Sequence, residues 1–87
     1  MVKEGQYLAV FNSTHRVMKA EDLLKSKGLK ILLIPAPRVL QTDCGLAIRF
    51  DEGERREVLK TLAEHDLMPA FISRLQGGNY TVQEETT

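Results

Sequence analysis

One cysteine, Cys44, is the whole thiol content of this 87-residue chain. That scarcity excludes an internal disulfide and agrees with a reducing compartment. Excess charge is missing too: twelve basic and twelve acidic residues balance to a formal net charge of zero. No basic stripe of the kind that tracks nucleic acid can be drawn from them. Apolar runs such as residues 31–34 are far too short to span a bilayer. The opening MVKEGQ lacks the apolar segment of a signal peptide. A cytoplasmic protein without nucleic-acid or membrane partners is therefore expected. The two histidines, at 15 and 65, and the lone cysteine show no ligand spacing, so no metal and no cofactor are expected. A Gly-rich phosphate loop is also lacking; Gly77-Gly78 stands alone and reads as a flexible break. There are no internal repeats.

What is present is ordinary for a globular domain, 43% apolar and 28% charged. This length supports one modest core. A single domain over residues 1–76 is expected, with the polar stretch 77–87 as a flexible C-terminal tail. Residues 6–12 (QYLAVFN) read as a strand. Asn12, Ser13 and Thr14 then offer helix caps. Val17, Ala20, Leu23 and Leu24 recur at helical spacing. Lys25 and Lys27 suit the end of that helix, and Gly28 followed by Leu29 reads as a left-handed stop. Residues 30–34 form a short apolar run ended by Pro35, a buried strand in preference to a helix. Pro35 and Pro37 keep the next loop extended. Alternation returns over 44–50 as a third strand. Asp51 and Glu54 have capping-box spacing before a second helix carrying Val58, Leu59, Leu62 and Ala63. His65 suits its C-terminal dipole. Residues 67–75 read as the last strand, with Pro69 suggesting an edge.

The order β-α-β-β-α-β is the ferredoxin-like pattern of an α+β sandwich. Right-handed crossovers put both helices on one face of a four-stranded antiparallel sheet, in the order 4-1-3-2. In that topology the third strand begins where the first one ends, so Cys44 belongs near the corner Asn12, Ser13, Thr14 and His15. By alternation Cys44 shares the helix-facing side with Leu46, Ile48 and Phe50, while Gly45, Ala47 and Arg49 face the open side.

That corner gives the thiol a chemical reading. Unpaired amides and the dipole at a helix start favour an anion, and a thiolate is one. Arg38 would add positive charge, Gly45 would leave the sulfur accessible, and His15 is a candidate base. The bland reading stands beside it. A free cysteine often serves as a small buried hydrophobe, Ser13 and Thr14 are caps first, and Arg38 and His15 are then solvated surface residues.

Residues 11–15 (FNSTH), 18–21 (MKAE), 34–38 (IPAPR) and 44–48 (CGLAI), in this order, resemble the DUF3343 family of small bacterial proteins, described as selenium/sulfur-carrier-like. The likeness covers roughly residues 6–75. It implies that Cys44 holds sulfur or selenium as a persulfide or selenosulfide; the corner reading puts Ser13, Thr14, His15, Arg38 and Gly45 around the bound anion. Better-established carriers of similar size use a Cys-Pro-x-Pro helix start, which is absent here. Only the demand for an exposed nucleophilic thiol carries over. With no second cysteine to resolve the adduct, the chain would be a shuttle between donor and acceptor proteins, not a complete enzyme. Two other classes compete. One is a regulatory or ligand-binding module with an anion at Ser13 to His15 and Cys44 a bystander. The other is an interaction domain whose open sheet face, expected to carry Tyr7, Ala9, Phe11 and Ala47, supports a homodimer.

Overall fold

Ser13 starts the first helix, α1 (Thr14–Ser26): its backbone is extended and its Oγ accepts from the Arg16 N–H at 3.3 Å. This is seen in a computed structural model that describes residues 2–40 and 42–83. Val17, Ala20 and Leu24 form the buried stripe of α1. Gly28, at φ 77°, reverses the chain, and the Leu29 N–H bonds back to the Leu24 carbonyl at 3.2 Å. The stop at Gly28 and Leu29 is the one the sequence predicts.

The remaining elements are β1 (Tyr7–Val10), β2 (Ile31–Pro35), β3 (Leu46–Phe50), the second helix α2 (Arg55–Glu64), β4 (Phe71–Gln76) and β5 (Asn79–Gln83). All strand pairs are antiparallel, in the order β2-β3-β1-β4-β5. The protein is thus α+β, with two helices and a five-stranded antiparallel sheet. The order of the first four strands is the expected one. The count is not: β5 lies within the stretch read as a tail. Gly77 and Gly78 take φ of 60° and 79°, the positive values that a two-residue type I′ hairpin needs at both centres. The Glu4 carboxylate accepts from the amides of both glycines. Residues 84–87 lie outside the described residues.

Three other expectations change. β4 runs between β1 and β5, so it is interior, and Pro69 precedes it. The edge position that tolerates proline belongs to β2, which ends in Pro35 and exposes Leu32. The Asp51–Glu54 capping box does not form. Asp51 accepts from Gln6 Nε2 at 2.8 Å and Glu54 from the Lys30 N–H at 2.9 Å, so tertiary partners claim both carboxylates. Finally, Tyr7, Ala9 and Phe11 do not line the open face. Tyr7 pairs with Phe50 and Ala9 with Ile48, and cross-strand partners share a side. All three lie in the core beneath the helices with Val17, Leu24, Val58 and Leu62. Ala47 does lie on the other side, with Leu8, Val10 and Ile34. Val2, Ala36, Leu40, Phe71 and Tyr80 pack against that cluster. The aromatic face that argued for a homodimer is therefore inside.

Tyr7 closes one end of the core. Its ring stacks on Phe50 at 5.4 Å, and its hydroxyl donates to Glu52 Oε1 at 2.6 Å. Arg74 lies over the ring at 4.7 Å and pairs with Glu52 at 3.4 Å. Burial, then the bond and charge of Glu52, hold the Tyr7 phenol above its ordinary value near 10, outweighing Arg74 and Arg55. The folded state therefore keeps this proton longer than the unfolded chain. The resulting stability is complete below about pH 10 and is lost as pH rises through the raised folded value. Tyr7→Phe should lower stability by about 1 kcal/mol at neutral pH. Urea midpoints measured from pH 9 upward should also fall less steeply for the variant than for the wild type; parallel curves would contradict the assignment.

Asp66, at φ 54°, takes the left-handed position after α2, and the Leu67 N–H bonds to the Leu62 carbonyl at 2.9 Å. A side chain is disfavoured there. Asp66→Gly should stabilise the fold by about 1 kcal/mol, read as a higher urea midpoint.

Candidate functional site

The chain leaves β2 at Pro35 and returns to β3 through a loop held at both ends. The Ala36 N–H bonds to the Gly45 carbonyl at 2.9 Å, and a 3-10 turn, Arg38–Leu40, is closed by Leu40 N–H to the Pro37 carbonyl at 3.0 Å. Gly45 has φ 71°, and a Cβ built there would meet nothing within 4 Å. Its role is to supply a left-handed bend ahead of β3, and steric room does not require it. Cys44 sits in the bend just before this glycine; the third strand begins at Leu46, two residues later than expected.

Cys44 is free and half-buried, and its side chain packs on the helix-side core with Leu46. The expected face is the observed one. The sulfur lies 3.1 Å from the Phe11 carbonyl oxygen and 3.4 Å from that of Leu46. It therefore sits at the end of β1, one residue before the Asn12 corner, as the topology requires. A thiol has one proton, so these two acceptors share a single S–H donor.

Thr42 completes the arrangement and escaped the sequence reading. Its Oγ1 donates to the same Phe11 carbonyl at 2.8 Å, accepts from the Cys44 N–H at 3.3 Å and lies 3.7 Å from the sulfur. The Thr-x-Cys spacing carried the signal: a threonine hydroxyl commonly takes the amide two residues on. Among the described residues, this hydroxyl is a rotatable donor beside the sulfur. Turned from Phe11 to Cys44, it would face a negatively charged sulfur that the two carbonyls otherwise oppose.

The other expected residues are distributed as follows. Ser13 is half-buried and spends its hydroxyl capping α1 through Arg16. Thr14 and His15 are exposed in the first turn of α1, and Arg38 is exposed in the 3-10 turn. Among the described residues, the hydrogen-bond partners of the sulfur are all oxygens, and none of these four supplies one. The structure thus brings together Cys44, Thr42 and the end of β1, with the start of α1 next along the chain. Among the described residues, no group of three or more His, Cys, Asp or Glu side chains is placed to hold a metal ion. No helix among them is long and apolar enough to cross a membrane.

Residues 6–74 match the family model described as "Putative Se/S carrier protein-like". An uncharacterized protein of Methanocaldococcus jannaschii is 34% identical over 71 residues, covering 80% of this chain and 36% of that protein. The chain thus spans about a third of the length of that relative. No solved structure matches it. The matched span runs from just before β1 into β4, taking in both helices and the Cys44 bend, and on that basis the chain belongs to the Se/S carrier protein-like family.

Proposed function

We propose that the protein carries one sulfur or selenium atom on Cys44 Sγ, on a ferredoxin-like four-stranded core extended by β5. The observation that carries this is the position of Cys44: the chain's one thiol, half-buried at the mouth of β3 in a family described as carrier-like. A chalcogen cargo needs a thiol to bond it, and no second cysteine is there to take that part.

Loading is an exchange. The Cys44 thiolate attacks the outer sulfur of a donor's persulfide, a new S–S bond forms on Cys44, and the donor's S–S bond breaks to release its thiolate. Discharge reverses the roles, with an acceptor's nucleophile taking the outer atom and Cys44 leaving as thiolate. Selenium follows the same balance through a selenosulfide. The outer atom carries negative charge and extends beyond the carbonyls that hold the S–H. Ser13, Thr14 and His15 at the start of α1, with Arg38 and Gly45, form the surroundings we assign to it, because a helix start favours an anion. Donor and acceptor are both proteins in this scheme, and the carrier itself turns over nothing.

Incubation of the native protein with a persulfide donor, followed by intact-mass measurement, should add the mass of one sulfur to the wild type. It should add none to Cys44→Ser, and a wild type that stays unloaded while the donor is active ends the proposal. Thr42 gives a sharper reading. Thr42→Val removes the rotatable donor at nearly the same shape. It should slow Cys44 alkylation about 3- to 10-fold at neutral pH, with Thr42→Ser restoring the rate. Equal rates for all three would leave Thr42 a purely structural anchor.

A further inference from the structure

We propose that the groove between α1 and the C-terminal turn of α2 binds a small amphipathic anion: a carboxylate or phosphate monoester on a short aliphatic stem. The groove has a volume of about 450 Å³ and is lined by Arg16, Lys19, Leu23, His65, Asp66 and Leu67. That volume falls within the range of small-molecule sites, about 300–1,000 Å³, which combine an apolar lining with a few fixed polar groups.

The lining divides along those lines. Arg16, Lys19 and Leu23 succeed one another at three- and four-residue spacing, which puts them on one side of α1. Leu23 is half-buried and Leu67 is 8% exposed, so the two leucines form an apolar base for a stem. Arg16 is held in place by its own bonds: Nη2 donates to the carbonyls of Asp66 at 3.1 Å and Met68 at 3.3 Å. The rest of the guanidinium retains donors for a ligand, already oriented. Lys19 is exposed and, among the described residues, has no ion-pair partner. His65 Nδ1 lies 3.0 Å from the Thr61 carbonyl. A carbonyl only accepts, so that nitrogen carries the proton, and the pull on an anion comes from Arg16 and Lys19. Arg16 and Lys19 line the groove against the single acidic residue Asp66, so the groove favours an anion.

No lining residue belongs to the surroundings of Cys44, so the groove stands or falls apart from the carrier reading. Hexanoate and butyl phosphate, titrated into the 15N-labelled full chain, should both shift the amides of Lys19, Leu23, His65 and Leu67 saturably at millimolar concentration. Comparing the two probes tells whether the head is a carboxylate or a phosphate. Lys19→Gln should weaken both about two- to five-fold, and Lys27→Gln, on the turn beyond α1, should change neither. Hexanol, which keeps the stem and lacks the charge, should shift these amides far less. Saturation absent for both anions, hexanol binding as tightly as hexanoate, or indifference to Lys19→Gln would each overturn the proposal.

Discussion

The carbonyl oxygen of Phe11 is the point on which the thiol's environment depends. It accepts from Thr42 Oγ1 and from Cys44 Sγ, 31 and 33 residues further along the chain. A strand end normally leaves such a group to water or to the next turn. Here two side chains of the β2–β3 loop take it, and so the loop is fastened to the strand that leads into α1. Buried or half-buried polar groups cost free energy unless paired, so the pairing holds the loop as firmly as it satisfies the carbonyl. The sulfur's position follows from the backbone of β1, with Thr42 as the intermediary.

The register of β1 sets the rest. With Tyr7 opposite Phe50 and Ala9 opposite Ile48, one side of the sheet receives both helices and the other receives Val2 and the loop residues Ala36 and Leu40. The two ends of β1 then differ in kind. At the start, the Tyr7 hydroxyl, Glu52 and Arg74 seal the core with a hydrogen bond, an ion pair and a ring contact. At the finish, the core ends in a half-buried thiol whose partners among the described residues are oxygens. The chemically adaptable end is the one left less tightly closed.

Much of this was legible in the residues. Ser13 and Gly28-Leu29 marked both ends of α1 because caps and stops are local physics, decided within a few residues. The order of the first four strands followed from crossover handedness, and from it came the meeting of Cys44 with the end of β1. Several of the failures turn on distant partners. Asp51 and Glu54 have capping-box spacing, yet Gln6 and the Lys30 amide take their carboxylates. Tyr7, Ala9 and Phe11 alternate correctly, but alternation alone does not say which side meets the helices; the pairing with Ile48 and Phe50 decides that. Gly77-Gly78 reads as a break, although two adjacent glycines between strand-like runs are also a hairpin signal. Thr42 has a local sign in the Thr-x-Cys spacing, but its stronger bond goes to an oxygen 31 residues away.

The added hairpin also decides where the chain can be lengthened. β5 runs back along β4, and its last residue, Gln83, pairs with Ile72, next to the pairing of Phe71 with Val10. Anything joined after Gln83 is thus built outward from the thiol's end of the sheet. The chain reaches β1 at the opposite end, past the corner where Glu4 grips the hairpin glycines. A fusion meant to leave Cys44 unobstructed belongs on the amino-terminal side, and a tether meant to bring a partner to the sulfur belongs on the other.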